Sequence, residues 1–260
     1  MKIALLKLSG KALEKFSTDG TWAGRINDLR KTYSGVIIVH GAGTTISDWS
    51  EKLECKVDFV NGQRVTTEAI MDVVAAVQAG LLNHKLIAYL ETNGIESLGL
   101  SGIDRGLFIA DYLNPELGFV GYPRAAGSPE WVYKLLQDGV VPVFSSVCRD
   151  ADGNLMNVNA DVFAERLAEL LKAETVLFLS DVTGVKINGE VQTKMNEEII
   201  NSGITNGDIT GGMIPKLESC IKLLNSGVNK IWIGSESAFS GDISDSYNNL
   251  FGTWIVNERA

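Results

Sequence analysis

The 260-residue sequence has little of what marks secreted, metal-binding or nucleic-acid-binding proteins. Its three cysteines, Cys55, Cys148 and Cys220, are far apart and odd in number, which fits neither a disulfide framework nor a zinc site. Basic residues number 23 against 32 acidic ones, and the net charge of −9 argues against a nucleic-acid partner, which needs a basic surface. No continuous run of about 18 apolar residues is present, and the apolar stretch at the amino terminus is too short for a signal peptide. We therefore expect a reduced, cytoplasmic protein that acts on small molecules and has no membrane partner.

Histidine is also scarce, because the sequence contains His40 and His84 alone. A serine hydrolase would have few candidates for its base, and residues 99–103, GLSGI, do not match the GxSxG nucleophile pattern. The usual nucleotide-binding patterns fail as well. Gly10-Lys11 lacks the serine or threonine that completes a P-loop, and Ile46 stands where GxGxxG requires glycine. Hydrolase, P-loop and Rossmann functions are therefore disfavoured.

Short apolar runs of strand type alternate with helical patterns along the chain. The strand-like runs are IALLKL, VIIVH, VVPVFSSV, TVLFLS and IWIG. Helical spacing of apolar residues is clearest after Thr67, in residues 159–174 and after Pro215. The dipeptides Asp152-Gly153 and Asn188-Gly189 indicate hairpin turns. This pattern predicts an α/β fold with a mainly parallel central sheet, helices on both faces and a lobe boundary near residue 173.

Three glycine-containing turns each lead into a helix. They are KLSG before a helix expected at residues 11–16, HGAG after the second strand, and TGGMIPK before the helix that contains Leu217. Open parallel sheets bind ligands at the carboxyl ends of their strands, where such turns let a phosphate or carboxylate approach backbone amides. The three turns therefore predict the ligand-binding region.

Two lysines occupy positions where a cation is unfavourable without an anionic partner. Lys7 interrupts an apolar strand just before the first glycine turn, and burial of an ammonium group is costly unless an anion meets it. Lys216 lies in the first turn of its helix, where the helix dipole is already positive. Both positions suit a site for a multiply charged anion. The alternatives are that Lys7 extends its amine to solvent from a strand end and that Lys216 is an ordinary solvated lysine.

Taken together, five short motifs resemble the amino acid kinase family over nearly the whole chain. In chain order they are KLSG, HGAG, NGQRVT, NVNAD and GGMIPK. Within the family, the similarity is greatest to the kinases that phosphorylate N-acetylglutamate. The resemblance implies a three-layer α/β/α sandwich in which residues 1–173 bind the acceptor and dimerise, and residues 174–260 bind the nucleotide.

The resemblance also implies a reaction. It is the ATP-dependent phosphorylation of the side-chain carboxylate of N-acetyl-L-glutamate in arginine biosynthesis, with Mg²⁺ as the metal. Because six residues precede Lys7, a homodimer is implied in place of the hexamers that a long amino-terminal helix builds in relatives. N-succinylglutamate, a carrier-linked aminoadipate and uridylate stay open as acceptors, and a non-catalytic ligand sensor of the same fold stays open as a function.

The family motifs assign roles to individual residues of this chain. The catalytic residues are Lys7 and Lys216, which stabilise the transferring phosphoryl group, and Asp161, which holds both lysines. The acceptor-binding residues are Gly41, Ala42, Gly43, Arg64 and Asn157. The nucleotide-contacting residues are Gly10, Asp181, Val182, Thr183, Gly184, Asp208, Ile209 and Thr210. Ser9 and Ala42 stand where relatives have glycine, and both are small enough for the turns to close.

These residue types suit the implied chemistry. A glutamate side chain has a pKa near ~4.3, so the attacking carboxylate is ionised at neutral pH and needs no general base. Two lysines neutralise the charge that builds up when one anion attacks another. Arginine suits a bidentate contact with a carboxylate, and asparagine suits an amide. The simpler alternatives are that Asp161 is a helix N-terminal carboxylate, Arg64 a loop residue and Asn157 a turn residue.

Overall fold

The fold of the chain comes from a computed structural model, which describes residues 1–10, 13, 21–60, 62–235, 238–239 and 251–257. The helix expected at residues 11–16 lies outside the described residues apart from Leu13, and so does Asn61 of the NGQRVT motif. The described residues form a three-layer α/β/α sandwich around an eight-stranded sheet. The predicted fold class is confirmed.

The central sheet contains all five runs that the sequence predicts as strands. In spatial order it consists of β14 (Lys194–Met195), β16 (Thr253–Val256), β15 (Lys230–Ser235), β11 (Thr175–Ser180), β1 (Ile3–Leu8), β2 (Gly35–His40), β8 (Val141–Ser145) and β5 (Ser97–Leu100). The six strands β15, β11, β1, β2, β8 and β5 are parallel to one another, whereas β16 is antiparallel to β15. The sheet is therefore mainly parallel, and β1 lies near its centre.

Smaller sheets surround the carboxyl ends of these strands. They consist of β10 (Leu155–Asn157), β9 (Val147–Arg149), β6 (Phe108–Tyr112) and β7 (Gly121–Ala125), of β12 (Lys186–Ile187) and β13 (Glu190–Val191), and of β3 (Phe59–Val60) and β4 (Gln63–Arg64). Both predicted hairpin turns are present, one between β9 and β10 and one between β12 and β13. Gly153 and Gly189 have φ values of 96° and 81°, a region that glycine adopts without steric cost.

Helices cover both faces of the central sheet. In chain order they are α1 (Thr21–Thr32), α2 (Gly43–Lys52), α3 (Glu68–Thr92), α4 (Glu130–Gln137), α5 (Ala160–Leu170), α6 (Glu197–Thr205) and α7 (Met213–Asn225), with 3₁₀ turns at Asp104–Gly106 and Pro115–Leu117. The three helices that the sequence predicts most clearly are α3, α5 and α7. Thr67 caps α3 and Asn159 caps α5, because their side-chain oxygens accept backbone N–H groups of the first turn.

Helix α3 contains a π-helical stretch, Ala75–Leu82, between two α-helical stretches. Its 25 residues could cross a membrane by length and composition, although 44% of the most apolar window is buried inside the fold. Gln78 and Asn83 also interrupt its apolar sequence. A core helix of a globular domain passes the same composition test, and we interpret α3 as such a helix because its buried side chains pack on the protein core.

Alternate residues of the central strands pack on opposite faces of the sheet. In β1, Ile3 and Leu5 belong to the hydrophobic core under α4, α5 and α7, whereas Ala4 and Leu6 belong to the core under α1. Lys7 has the same parity as Ile3 and Leu5, and it therefore points to the face that carries α5 and α7. The strand alternation thus determines where the Lys7 ammonium group lies.

Candidate active site

Three charged side chains meet where β1 ends and where α5 and α7 begin. The Lys7 Nζ is 2.5 Å from Asp161 Oδ1, and the Lys216 Nζ is 3.8 Å from Asp161 Oδ2. The Lys216 Nζ also lies 5.5 Å from the ring centroid of Phe178, the β11 residue paired with Lys7. The lysine side chains are 11% and 16% exposed, so both ammonium groups are largely enclosed. The structure thus brings together the three residues predicted to be catalytic.

Local contacts position Asp161 at the start of α5. The Asn159 Oδ1 accepts hydrogen bonds from the backbone N–H groups of Asp161 and Val162, at 2.8 and 3.4 Å. The second glycine turn packs beside this helix start, since a Cβ at Gly41 would lie 3.4 Å from the Cβ of Ala160. The cap and this close packing hold Asp161 between the two lysines.

The Asp161 carboxyl has a pKa below its ordinary value. Burial acts to raise the pKa, but the Lys7 and Lys216 ammonium groups together outweigh that effect. The carboxylate is therefore ionised at neutral pH. Two cations and one anion leave a net positive charge at this point, which favours the binding of a further anion.

Two adjoining cavities open on this ion-paired group. The larger has a volume of about 860 Å³, and its lining includes Gly10, Asp181, Val182 and Lys216. The smaller has a volume of about 280 Å³, and its lining includes Gly41, Ala42, Gly43, Arg64 and Asn157. Lys7 and Asp161 line both cavities. A ligand in one cavity can therefore meet a ligand in the other beside these two side chains.

Five of the predicted nucleotide-contacting residues lie away from this junction. Thr183, Gly184, Asp208, Ile209 and Thr210 are not among the described residues that line either cavity. Ile209 is 2% exposed and packs against Gly203, as part of the hydrophobic core. The structure therefore gathers Gly10, Asp181 and Val182 at the larger cavity, and nucleotide contacts by the other five remain a prediction.

Two helices begin at the larger cavity without a side-chain cap. Helix α2 begins at Gly43 and α7 at Met213, and no side-chain cap hydrogen bond is made by the preceding residues, Ala42 and Gly212. By contrast, side chains cap the starts of α3, α5 and α6. The first N–H groups of a helix are unpaired and carry partial positive charge, so they bind phosphate or carboxylate groups. Helix α2 thus adds an anion-binding end to the lysine pair, whereas at the start of α7 Pro215 has no N–H and the Ile214 N–H donates to Gly211 O at 3.2 Å.

Arg64 contributes a buried donor to the smaller cavity. Its Nη2 donates to Gly43 O at 2.9 Å and to Ser47 Oγ at 2.8 Å, and its guanidinium lies 4.9 Å from the Phe59 ring. Within the described part of the chain, its Nη1 is buried and lacks a hydrogen-bond partner. Burial also lowers the pKa of this guanidinium. An unpaired buried donor is costly, so a carboxylate bound in the cavity would be stabilising.

Asn157 is linked to Arg64 by hydrogen bonds through Thr66. Its Nδ2 donates to Thr66 Oγ1 at 3.0 Å, and that hydroxyl donates to Arg64 O at 3.1 Å. The Asn157 backbone N–H donates to Phe119 O at 2.8 Å, and this bond links β10 to the chain at Phe119. Among the described residues, the second Nδ2 proton and the Oδ1 oxygen of Asn157 have no hydrogen-bond partner, so both can contact a ligand.

The smaller cavity also contains two polar residues that sequence reasoning missed. Gln78 of α3 and Ser146 line it, and they are 2% and 1% exposed. The available signal was a glutamine within the apolar run VVAAVQAGLL, because a buried amide needs hydrogen-bond partners.

Comparison with known proteins identifies the family. The sequence profile described as the amino acid kinase family matches residues 2–235. The chain belongs to the amino acid kinase family. An acetylglutamate kinase from Koribacter versatilis is 39% identical over 236 residues, which cover 90% of each chain. Another from Bacillus licheniformis is 34% identical over 261 residues, which cover 99% of this chain and 98% of that one.

Solved structures agree with this amino acid kinase fold. A carbamate kinase from Giardia superposes with a TM-score of 0.71 at 14% identity, and the superposition covers 99% of both chains. At this identity the likeness concerns the fold. The similarity to acetylglutamate kinases over most of the chain identifies it as a kinase, and the junction of the two cavities is its candidate site of phosphoryl transfer.

Proposed function

We propose that the protein transfers the γ-phosphoryl group of ATP to the side-chain carboxylate of N-acetyl-L-glutamate, as a step of arginine biosynthesis in the cytoplasm. The observation that carries this proposal is the convergence of Lys7 and Lys216 on Asp161, at the wall that the two cavities share. Acetylglutamate kinases that are 34% and 39% identical support the identity of the acceptor.

The reaction needs charge neutralisation more than it needs proton transfer. The acceptor carboxylate is ionised at neutral pH, so no general base has to remove a proton. His40 is fully buried and its pKa is lowered to about 4, chiefly by burial, so it is a neutral residue outside the chemistry. Negative charge on the transferring group and its neighbours is the main obstacle. Lys7 and Lys216 oppose that charge, and Asp161 orients both lysines.

We assign the larger cavity and residues 174–260 to the nucleotide, and the smaller cavity and residues 1–173 to the acceptor. A volume of about 860 Å³ suits a nucleoside triphosphate, and the uncapped start of α2 suits its phosphates. Mg²⁺ bound with the nucleotide would neutralise phosphate charge. Such an ion is usually held by phosphates and one or two carboxylates, and the carboxylates of Glu165 and Asp181 lie on the cavity wall. In the described part of the chain no cluster of three or more potential ligands could hold a metal by itself.

A coupled assay of ADP release tests the function directly. We expect turnover with N-acetyl-L-glutamate and much less with N-succinyl-L-glutamate, a carrier-linked aminoadipate or uridylate, because the acceptor cavity measures about 280 Å³. The absence of turnover with every N-acylglutamate would contradict the proposal. ATP binding without turnover would instead indicate a ligand sensor of the same fold.

Replacing Arg64 by methionine should raise the KM for the acceptor by roughly 10- to 100-fold, because the substitution removes a charge-assisted hydrogen bond to the α-carboxylate. Methionine keeps much of the apolar stem, and the KM for ATP should change little. Steady-state kinetics with each substrate varied in turn measures both constants. Arg124→Met is the matched control, since Arg124 forms an exposed ion pair with Asp111. An unchanged acceptor KM in Arg64→Met would refute the assignment of Arg64.

We also propose a homodimer formed through the amino-terminal half of α3. Ala69 and Ala76 are exposed on this helix, and small side chains permit close helix packing. Light scattering at micromolar concentration should give twice the chain mass of 28.1 kDa, and Ala76→Arg should shift the protein towards the monomer. A monomeric parent protein under these conditions would end this proposal.

A further inference from the structure

Helix α3 carries two buried amide side chains at the smaller cavity, and one of them, Gln78, lines it. Gln78 and Asn83 are 2% and 3% exposed, and the Asn83 backbone N–H donates to Gln78 O across five residues. Five residues make about 1.4 turns of an α-helix, which would point these side chains in different directions. The wider turn of the π-helical stretch brings residues five apart into line. Both amides therefore reach His40 at the end of β2.

Hydrogen bonds fix the orientation of the Gln78 amide. Its Nε2 donates to His40 O at 3.1 Å and to Ser146 Oγ at 2.8 Å. The His40 carbonyl can accept but not donate. The Ser146 hydroxyl uses its proton on Val158 O at 2.6 Å, so it also accepts from Gln78. A half-turn of the amide would place Oε1 against two acceptors, and the observed orientation is therefore the stable one.

Asn83 contacts the side chain of the same histidine. Its Nδ2 lies 3.0 Å from His40 Nε2 and donates to Val143 O at 3.0 Å. Because an amide nitrogen can only donate, His40 Nε2 accepts and the ring proton resides on Nδ1, which faces Gly41 O at 3.2 Å. Asn83 therefore fixes the His40 ring, whereas the Gln78 amide is fixed by His40 O and Ser146 Oγ, neither of which is a partner of Asn83.

The remaining polar atom of Gln78 is the amide oxygen Oε1, and Gln78 lines the acceptor cavity. An N-acylated glutamate offers two carboxylates and an acyl oxygen, all of which accept hydrogen bonds. Its amide N–H is its one donor at neutral pH. Arg64 and Lys7 are cations suited to the carboxylates, and the free Nδ2 proton of Asn157 suits the acyl oxygen. The Gln78 Oε1, which accepts hydrogen bonds and has a fixed orientation, therefore matches the remaining group of the ligand, its amide N–H.

We propose that Gln78 determines acceptor specificity, with its Oε1 accepting a hydrogen bond from the N–H of the acylated amine. The inference rests on the proposed function for the identity of the acceptor. An ester in place of the amide would put an oxygen lone pair opposite Oε1, and a buried acceptor would then stay unpaired.

The test compares N-acetyl-L-glutamate with the ester analogue (S)-2-acetoxyglutarate, in which oxygen replaces N–H. Calorimetric Kd values and ADP release are measured for the parent protein, for Gln78→Met and for Asn83→Leu. We expect the parent protein to prefer the amide by roughly 10- to 100-fold and Gln78→Met to lose most of that preference. Asn83→Leu is the matched control, because it removes an equally buried amide of the same network that does not line the cavity.

The outcomes separate this inference from the proposed function. An amide preference that survives in Gln78→Met, or equal Kd values for the two ligands in the parent protein, would overturn the inference. The second result needs no variant, so it decides the matter even if Gln78→Met does not fold. Loss of the preference in Asn83→Leu as well would also overturn it, since the effect would then come from the network as a whole. Binding with the expected preference but no ADP release would leave the inference standing and overturn the kinase function.

Discussion

Replacing Lys7 or Lys216 by alanine should lower kcat by roughly 10²- to 10³-fold, because each substitution removes a preorganised positive charge from the transferring phosphoryl group. The fold should persist, since Asp161 keeps one lysine partner in either variant. Initial rates of ADP release at saturating substrates give kcat, and thermal unfolding checks that each variant is folded.

Lysines outside the site provide the control for this result. Lys2 precedes β1 and Lys222 lies in α7, and both are exposed. Lys2→Ala and Lys222→Ala should keep kcat within about twofold of the parent value, as surface substitutions usually have small effects. Full activity in either Lys7→Ala or Lys216→Ala would show that the transfer does not occur at the junction of the two cavities.

Replacing Asp161 by asparagine should lower kcat by about 10²-fold, because an amide of the same shape cannot hold two ammonium groups that repel each other. The effect should not add to that of Lys216→Ala, since residues that act as a unit give non-additive losses. A double variant that loses the product of the two single effects would contradict this role. Glu169→Gln is the control, because Glu169 forms an ion pair with Arg166 on the outer side of the same helix.

The same substitution should change how stability depends on pH. The folded-state pKa of Asp161 lies below its ordinary value of 3.8, so its ion pairs stabilise the protein at neutral pH. That contribution is lost as the pH falls through the lowered pKa. Asp161→Asn should therefore lack this part of the acid destabilisation, which unfolding curves can detect when they extend from neutral pH to well below the ordinary pKa of 3.8.

Much of the fold could be predicted because it depends on short-range patterns, whereas the grouping of Lys7, Lys216 and Asp161 was implied by the resemblance to the family. Short continuous apolar runs specify the central strands, and a lysine at the end of such a strand must point to the same face as the residues two and four positions before it. The helix cap at Thr67 and the two hairpin turns at Gly153 and Gly189 likewise involve only residues a few positions away in the sequence. Ala42 could also be judged from sequence, since its φ of −153° is accessible to any residue and its methyl group is accommodated.

The rest depends on contacts between distant segments. The π-helical stretch of α3 leaves no separate mark in a largely apolar sequence, so the alignment of Gln78 with Asn83 was not apparent. Ile209 follows an exposed aspartate in a loop-like sequence, yet it is buried because Gly203 leaves room for its side chain. The partners of Arg64 come from α2 and could not be chosen without the fold.

The central sheet has a consequence for how the enzyme can move. Strand β1, in the half that we propose binds the acceptor, is hydrogen-bonded to β11, in the half that we propose binds the nucleotide, over Ala4–Lys7 and Thr175–Phe178. A hinge that swung the two halves apart as rigid bodies would have to break this ladder and expose two apolar strand edges. We therefore expect any tightening around bound substrates to come from a change of sheet twist and from the surrounding turns.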